Sequence, residues 1–99
     1  MLNLDKRYIV MIKKMLASHV PNHTVWAYGS RVKGKAHEGS DLDLVIISED
    51  GSLTQQQLSA LRNAFSESNL PILIDVLDWD TIPTEFKQEI KKDHIVIKM

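Results

Sequence analysis

Asp41 and Asp43, in the segment Ser40-Asp41-Leu42-Asp43-Leu44, are the residues of this chain best suited to chemistry, and ten residues separate them from Gly29-Ser30. In a β-strand residues i and i+2 share a face, so the two carboxylates stand side by side, roughly 6 to 7 Å apart at Cα. Like charges at that spacing raise each other's pKa unless something neutralises them. A divalent cation is the usual remedy, and hard Mg²⁺ prefers carboxylate oxygens and substrate phosphates. Leu44-Val45-Ile46-Ile47 follows without a polar residue, so the acids stand at the end of a buried strand. The plainer alternative is a pair of solvent-facing strand acids, or Asp41 as a cap.

Gly29-Ser30 supplies the other half of a phosphate site. Val25-Trp26-Ala27-Tyr28 reads as a short strand running into Gly29, where a sharp turn lets a ligand approach the backbone closely. Successive N–H groups in such a turn, opening a short helix over Arg31 to Lys33, make an anion-binding concavity. The Ser30 hydroxyl can donate to a phosphate oxygen, and Arg31, Lys33 and Lys35 add positive charge. Gly29 to Ala36 also fits G-x-x-x-x-G-K. A P-loop, however, needs Ser or Thr where this chain has Ala36, and a long helix where it has Gly39 and another strand.

A third acid stands in Ile72-Leu73-Ile74-Asp75-Val76-Leu77. A charge amid apolar residues is costly unless paired or metal-bound. If this strand neighbours that of Asp41, Asp75 completes a three-carboxylate cluster; otherwise it sits on the open face of an edge strand. Asp78 and Asp80 fall beyond the strand, in a loop or at a helix start.

The elements that must position these residues can be read from periodicity. Leu4 to His19 carries a helical apolar stripe ended by Pro21-Asn22, and Thr24 to Tyr28 forms the first strand. Asp41 to Ser48 is the second strand. Thr54 to Ser68 is a helix with Leu58, Leu61, Ala64 and Phe65 inward, capped by Ser52 or Thr54. Ile72 to Leu77, a helix over Thr84 to Lys92 and a strand from His94 to Ile97 complete the chain. Such interleaving predicts an α/β (α+β) fold: a small mixed sheet of about four strands with helices packed on it. Trp26 and Tyr28 are assigned to the first strand's two faces. His19, His23, His37 and His94 show no ligand spacing.

Ninety-nine residues predict one domain spanning 1–99, with 43% hydrophobic and 25% charged residues, ordinary for a globular protein. A net charge of −1 gives no basic surface for generic nucleic-acid binding, and the absence of cysteine excludes disulfides and thiolate metal sites. No segment is long enough to span a membrane, and charges come too early for a signal peptide, so a cytoplasmic location is expected.

Gly29-Ser30, then Asp41-x-Asp43, then Asp75 resembles the DNA polymerase beta-type nucleotidyltransferase superfamily, and the Tyr28-Gly29-Ser30-Arg31-x-x-Gly34 wording resembles its minimal nucleotidyltransferase (MNT) group. The resemblance spans essentially the whole chain and implies the polymerase beta-like fold. It implies that Gly29, Ser30 and Arg31 bind the nucleotide, that Asp41, Asp43 and Asp75 are catalytic and hold two Mg²⁺ ions, and that ATP is the substrate. Lys35-Ala36-His37-Glu38-Gly39 departs from the family's usual lead-in, with no role assigned to His37 or Glu38. The resemblance further implies a HEPN-type helical toxin as partner, with this chain as antitoxin transferring AMP to a toxin hydroxyl, a tyrosine first, within a hetero-oligomer. Two alternatives stay open: an idle antitoxin neutralising by binding alone, and a small-molecule nucleotidyltransferase completed by a helical subunit.

Overall fold

A computed structural model describes residues 2–34, 41–49 and 53–99 of the chain. The expectations placed on Lys35 to Ser40 and on Ser52 lie outside the described residues. Helix α1 (Lys6–His19) leads into strand β1 (Thr24–Tyr28) and the one-turn helix α2 (Ser30–Lys33). Strand β2 (Leu42–Ile47), helix α3 (Gln55–Ser66) and strand β3 (Ile74–Asp78) follow, then a 3-10 turn at Trp79–Thr81, helix α4 (Thr84–Lys92) and strand β4 (Ile95–Lys98).

Local chemistry sets most of these boundaries. Asp5 caps α1 by accepting from the Arg7 N–H at 2.8 Å, so the helix starts after Asp5 and not at Leu4. Thr54 and Gln57 form a reciprocal capping box at α3, which decides between Ser52 and Thr54 as the cap. The third strand begins two residues later than its apolar run, at Ile74, and reaches Asp78. Asp78 ends that strand and also caps the 3-10 turn, accepting from the Asp80 N–H at 3.0 Å.

Among the described residues the strands form one sheet of order β3-β2-β1-β4, in which β1 is antiparallel to β2 and β4, and β2 is parallel to β3. One face carries the main core, where Leu42, Leu44 and Ile46 of β2 meet Ile12 and Leu16 of α1 and Leu58, Leu61 and Phe65 of α3. The other face is thinner, with Tyr28 and Val45 packed against Ile90 of α4. Trp26 and Tyr28 both lie on this second side, in one cluster, and not on two faces: residues two apart on a strand cannot diverge. Trp26 stacks on His94 at 3.9 Å between ring centroids and meets Trp79 edge-on at 5.4 Å. That face thus uses aromatic area where the main core is chiefly aliphatic. Among the described residues no helix is long and apolar enough to cross a membrane.

Candidate active site

The sheet order brings three chain segments to one place. Because β1 runs antiparallel to β2, its C-terminal end, with Gly29 next, lies beside the N-terminal end of β2. Because β3 runs parallel to β2, its own N-terminal end joins them. The register then pairs Tyr28 with Asp43 and Asp43 with Asp75. Directly paired residues on neighbouring strands point to one face, so Asp43 stands between Tyr28 and Asp75. Asp41 precedes Leu42 and starts the same alternate row. Asp78 is three residues from Asp75 and pairs with Ile46, which belongs to the opposite, core-facing row. Parity therefore separates the two acids that flank Val76-Leu77.

Burial is graded across the carboxylates. Asp41 and Asp75 are exposed and Asp43 is half-buried. Asp75 thus lies on the open side of an edge strand, and on the same row as Asp43. Burial pushes the Asp43 carboxyl above the ordinary carboxylate range, and the charges of Asp75 and then Asp41 push it the same way. Tyr28 is also raised, first by burial and then by Asp43 and Asp75, which keeps its hydroxyl protonated. Asp43 feels the charge of both neighbours, yet no three donors among the described residues gather closely enough to hold a metal ion unaided. That arrangement suits Mg²⁺, which is held by one or two carboxylates and completes its shell from water and phosphate.

The turn at Gly29-Ser30 is shaped by one glycine. Gly29 has φ 84° and ψ −156°, a region open essentially to glycine alone. A Cβ built there would fall on Oδ2 of Asp43, so the turn backbone rests directly against the central acid. The Gly29 carbonyl accepts from the N–H groups of Val32 and Lys33 at 3.0 and 3.1 Å, which closes the turn into α2. Among the described residues no side chain caps the start of α2. Gly34, at φ 76°, ends it in the left-handed conformation.

Arg31 is placed differently from its neighbours. Its side chain is 6% exposed, and Nη1 donates to the Asn3 carbonyl at 2.6 Å while the Asn3 N–H bonds the Arg31 carbonyl at 2.9 Å. The guanidinium ties the segment before α1 to the turn at Gly29-Ser30. A cleft of about 530 Å³ opens beside this contact, with Tyr8 and Ile72 in its wall.

Arg62 has no counterpart in the sequence reading. From α3 it donates Nε and Nη2 to the Val76 carbonyl, at 3.2 and 2.6 Å. The Leu73 carbonyl faces β2, where it accepts from the Leu42 N–H at 3.0 Å. Strand alternation turns the Val76 carbonyl to the outer edge, where no strand among the described residues meets it. Arg62 supplies that missing donor one residue from Asp75. Nothing in spacing or residue type marks such a role, because the partner is a main-chain oxygen on another element.

Residues 11–99 match the family model described as Polymerase beta, Nucleotidyltransferase. A relative described as a probable protein adenylyltransferase MntA, from Haemophilus influenzae, is 46% identical over 97 residues, covering 98% of this chain and 84% of that protein. A crystal structure of a toxin-antitoxin with AMP-PNP is similar at TM-score 0.73 and 22% identity, over 95% of this chain and 73% of that one. A tri-AMPylated Shewanella oneidensis HEPN toxin in complex with MNT antitoxin matches at TM-score 0.70 and 18% identity, over 95% of this chain and 71% of that one. At such identities the two solved structures speak for the fold.

Proposed function

The chain belongs to the polymerase beta nucleotidyltransferase family, and we propose that it transfers AMP from ATP to a hydroxyl, a tyrosine first, of a HEPN toxin, acting as the antitoxin of that pair. The observation that carries this reading is the register that sets Asp43 beside Asp75, with the Gly29 turn against the same carboxylate. The relative MntA, described as a probable protein adenylyltransferase, supports the choice of AMP and of a protein acceptor.

Gly29 and Ser30 would hold the triphosphate on backbone N–H groups and the Ser30 hydroxyl, with the Arg31 main chain in the turn and the Arg31 side chain fixing it to Asn3. Asp41, Asp43 and Asp75 would hold two Mg²⁺ ions, which supply the positive charge that offsets the acids and the phosphates. The acceptor oxygen attacks the α-phosphorus, the bond to the β-phosphate oxygen breaks, and pyrophosphate leaves. Asp75, exposed on β3 beside Asp43, takes the acceptor proton. Alignment and charge neutralisation do most of the work in phosphoryl transfer, so a small scaffold suffices. One domain spanning residues 1–99, at work in the cytoplasm within a complex with the toxin, completes the reading.

The test is the intact mass of the HEPN protein after incubation with this chain, ATP and Mg²⁺, with the Asp41→Ala/Asp43→Ala variant beside it. Mass gain in whole AMP units with the wild type alone is expected. A silenced toxin of unchanged mass, with either version, would mean neutralisation by binding.

A further inference from the structure

A second cleft, of about 140 Å³, lies between the phosphate turn and α4. Gly29 and Lys33 line its turn side, and Phe86, Glu89 and Asp93 line its α4 side. Tyr28 lines it too, with its ring meeting that of Phe86 edge-on at 5.5 Å between centroids. Gly29 therefore has two neighbours: the carboxylate of Asp43 and this cleft. A molecule whose reacting phosphate lies over Asp43 has its next group within reach of the cleft.

For a nucleoside triphosphate that next group is either the polyphosphate tail or the nucleoside. The lining decides between them. Asp93, and Glu89 whose charge is shared with Lys92 at 3.6 Å, disfavour a polyphosphate, whereas two aromatic rings suit a flat heterocycle. Phe86 is 37% exposed, an aromatic side chain left partly uncovered beside the site. Carboxylates are acceptors only, so Glu89 and Asp93 match a base that presents an amine. Lys33, at the turn end, is on the side where phosphates would lie.

We propose that this cleft is the base subsite: it takes an amine-bearing base, adenine first, with Phe86 as the stacking contact and Glu89 and Asp93 as acceptors for the exocyclic amine. The proposal rests on the nucleotide-transfer reading and adds to it the residues that select the nucleotide.

The experiment compares dissociation constants for ATP, ITP and inorganic tripolyphosphate, with Mg²⁺, by titration calorimetry. Wild type, Phe86→Ala and Glu89→Gln/Asp93→Asn are run together, with thermal unfolding to verify that each is folded. Phe86→Ala is expected to weaken ATP about tenfold, within the range for loss of one base–aromatic stack, and to leave tripolyphosphate unchanged. The double variant is expected to lose the preference of ATP over ITP, which lacks the amine. Equal weakening of ATP and tripolyphosphate would overturn the assignment in favour of a phosphate pocket. Unchanged ATP binding in both variants would overturn it outright. A wild type that binds ATP with these dependences, yet adds no AMP to the toxin, would sink the transfer reaction and leave the subsite standing.

Discussion

Replacing Gly29 by alanine tests the join between the Gly29 turn and the acids proposed to be catalytic. Two penalties add at this position. The backbone, at φ 84° and ψ −156°, lies where a non-glycine residue costs about 1 to 3 kcal/mol. The new Cβ also meets Oδ2 of Asp43, so the carboxylate must swing away. For a domain of this size 1 kcal/mol corresponds to roughly 4 to 8 °C, so the strain alone puts the expected fall in melting temperature at roughly 4 to 24 °C. Gly34→Ala is the internal control, since it also has positive φ, 76°, but nothing within 4 Å of the added Cβ. Gly34→Ala should therefore lose stability by the strain alone and keep Asp43 in place. Combining Gly29→Ala with Asp43→Ala removes the clash but not the strain, so the double variant should be more stable than the sum of the singles. Calorimetry gives the melting temperatures, and ATP titration with Mg²⁺ gives the effect on the site. A Gly29→Ala protein that melts within 2 °C of wild type and binds ATP normally would refute the argument, as a loss with no more than the Gly34→Ala effect would refute its steric half.

Two further outcomes follow from the same geometry. Asp43 is raised above its ordinary value of about 3.9 by burial and by Asp75 and Asp41, so its contribution to stability is full below that value and is lost as pH rises through the raised one. Asp43→Asn should thus melt higher than metal-free wild type at pH 7, show little difference at pH 3.5, and transfer no AMP; a lower melting point at pH 7 would contradict the electrostatic account. Arg62→Ala strips both donors from the Val76 carbonyl, and a loss of about 1 kcal/mol of stability is expected. If Arg62 also fixes Asp75, kcat should fall more than the KM for ATP rises, with Arg62→Lys in between; equal kcat in all three would reduce Arg62 to an edge cap.

The chemistry of this chain was legible in its sequence because it is carried by residue type at short spacing. A strand that ends in glycine, and acids two apart at the head of an apolar strand, each make sense within a dozen residues. The strand Thr24–Tyr28 and the helix Thr84–Lys92 match their sequence-based bounds, since apolar period and flanking turn residues mark both ends. Fold class follows for the same reason, from the order of helical and extended periods along the chain. Strand parity, a local rule, puts Trp26 and Tyr28 on one face of β1, against the two-face expectation.

What only the tertiary structure decided concerns contacts between segments. Sequence left Asp75 either in the cluster or on an open edge, and the sheet makes both true: β3 is the edge strand, and its parallel register sets Asp75 against Asp43. Pairing register depends on how helices α1 and α3 cover one face and α4 the other, which no window of the chain contains. Arg31 follows Gly-Ser in the sequence, and only the fold shows that its guanidinium also reaches the Asn3 carbonyl, 28 residues away. Arg62 and Phe86 gained their places from a carbonyl and a ring on other elements. Residue type determines what a side chain can do, and the three-dimensional path of the chain determines which partner it does it with.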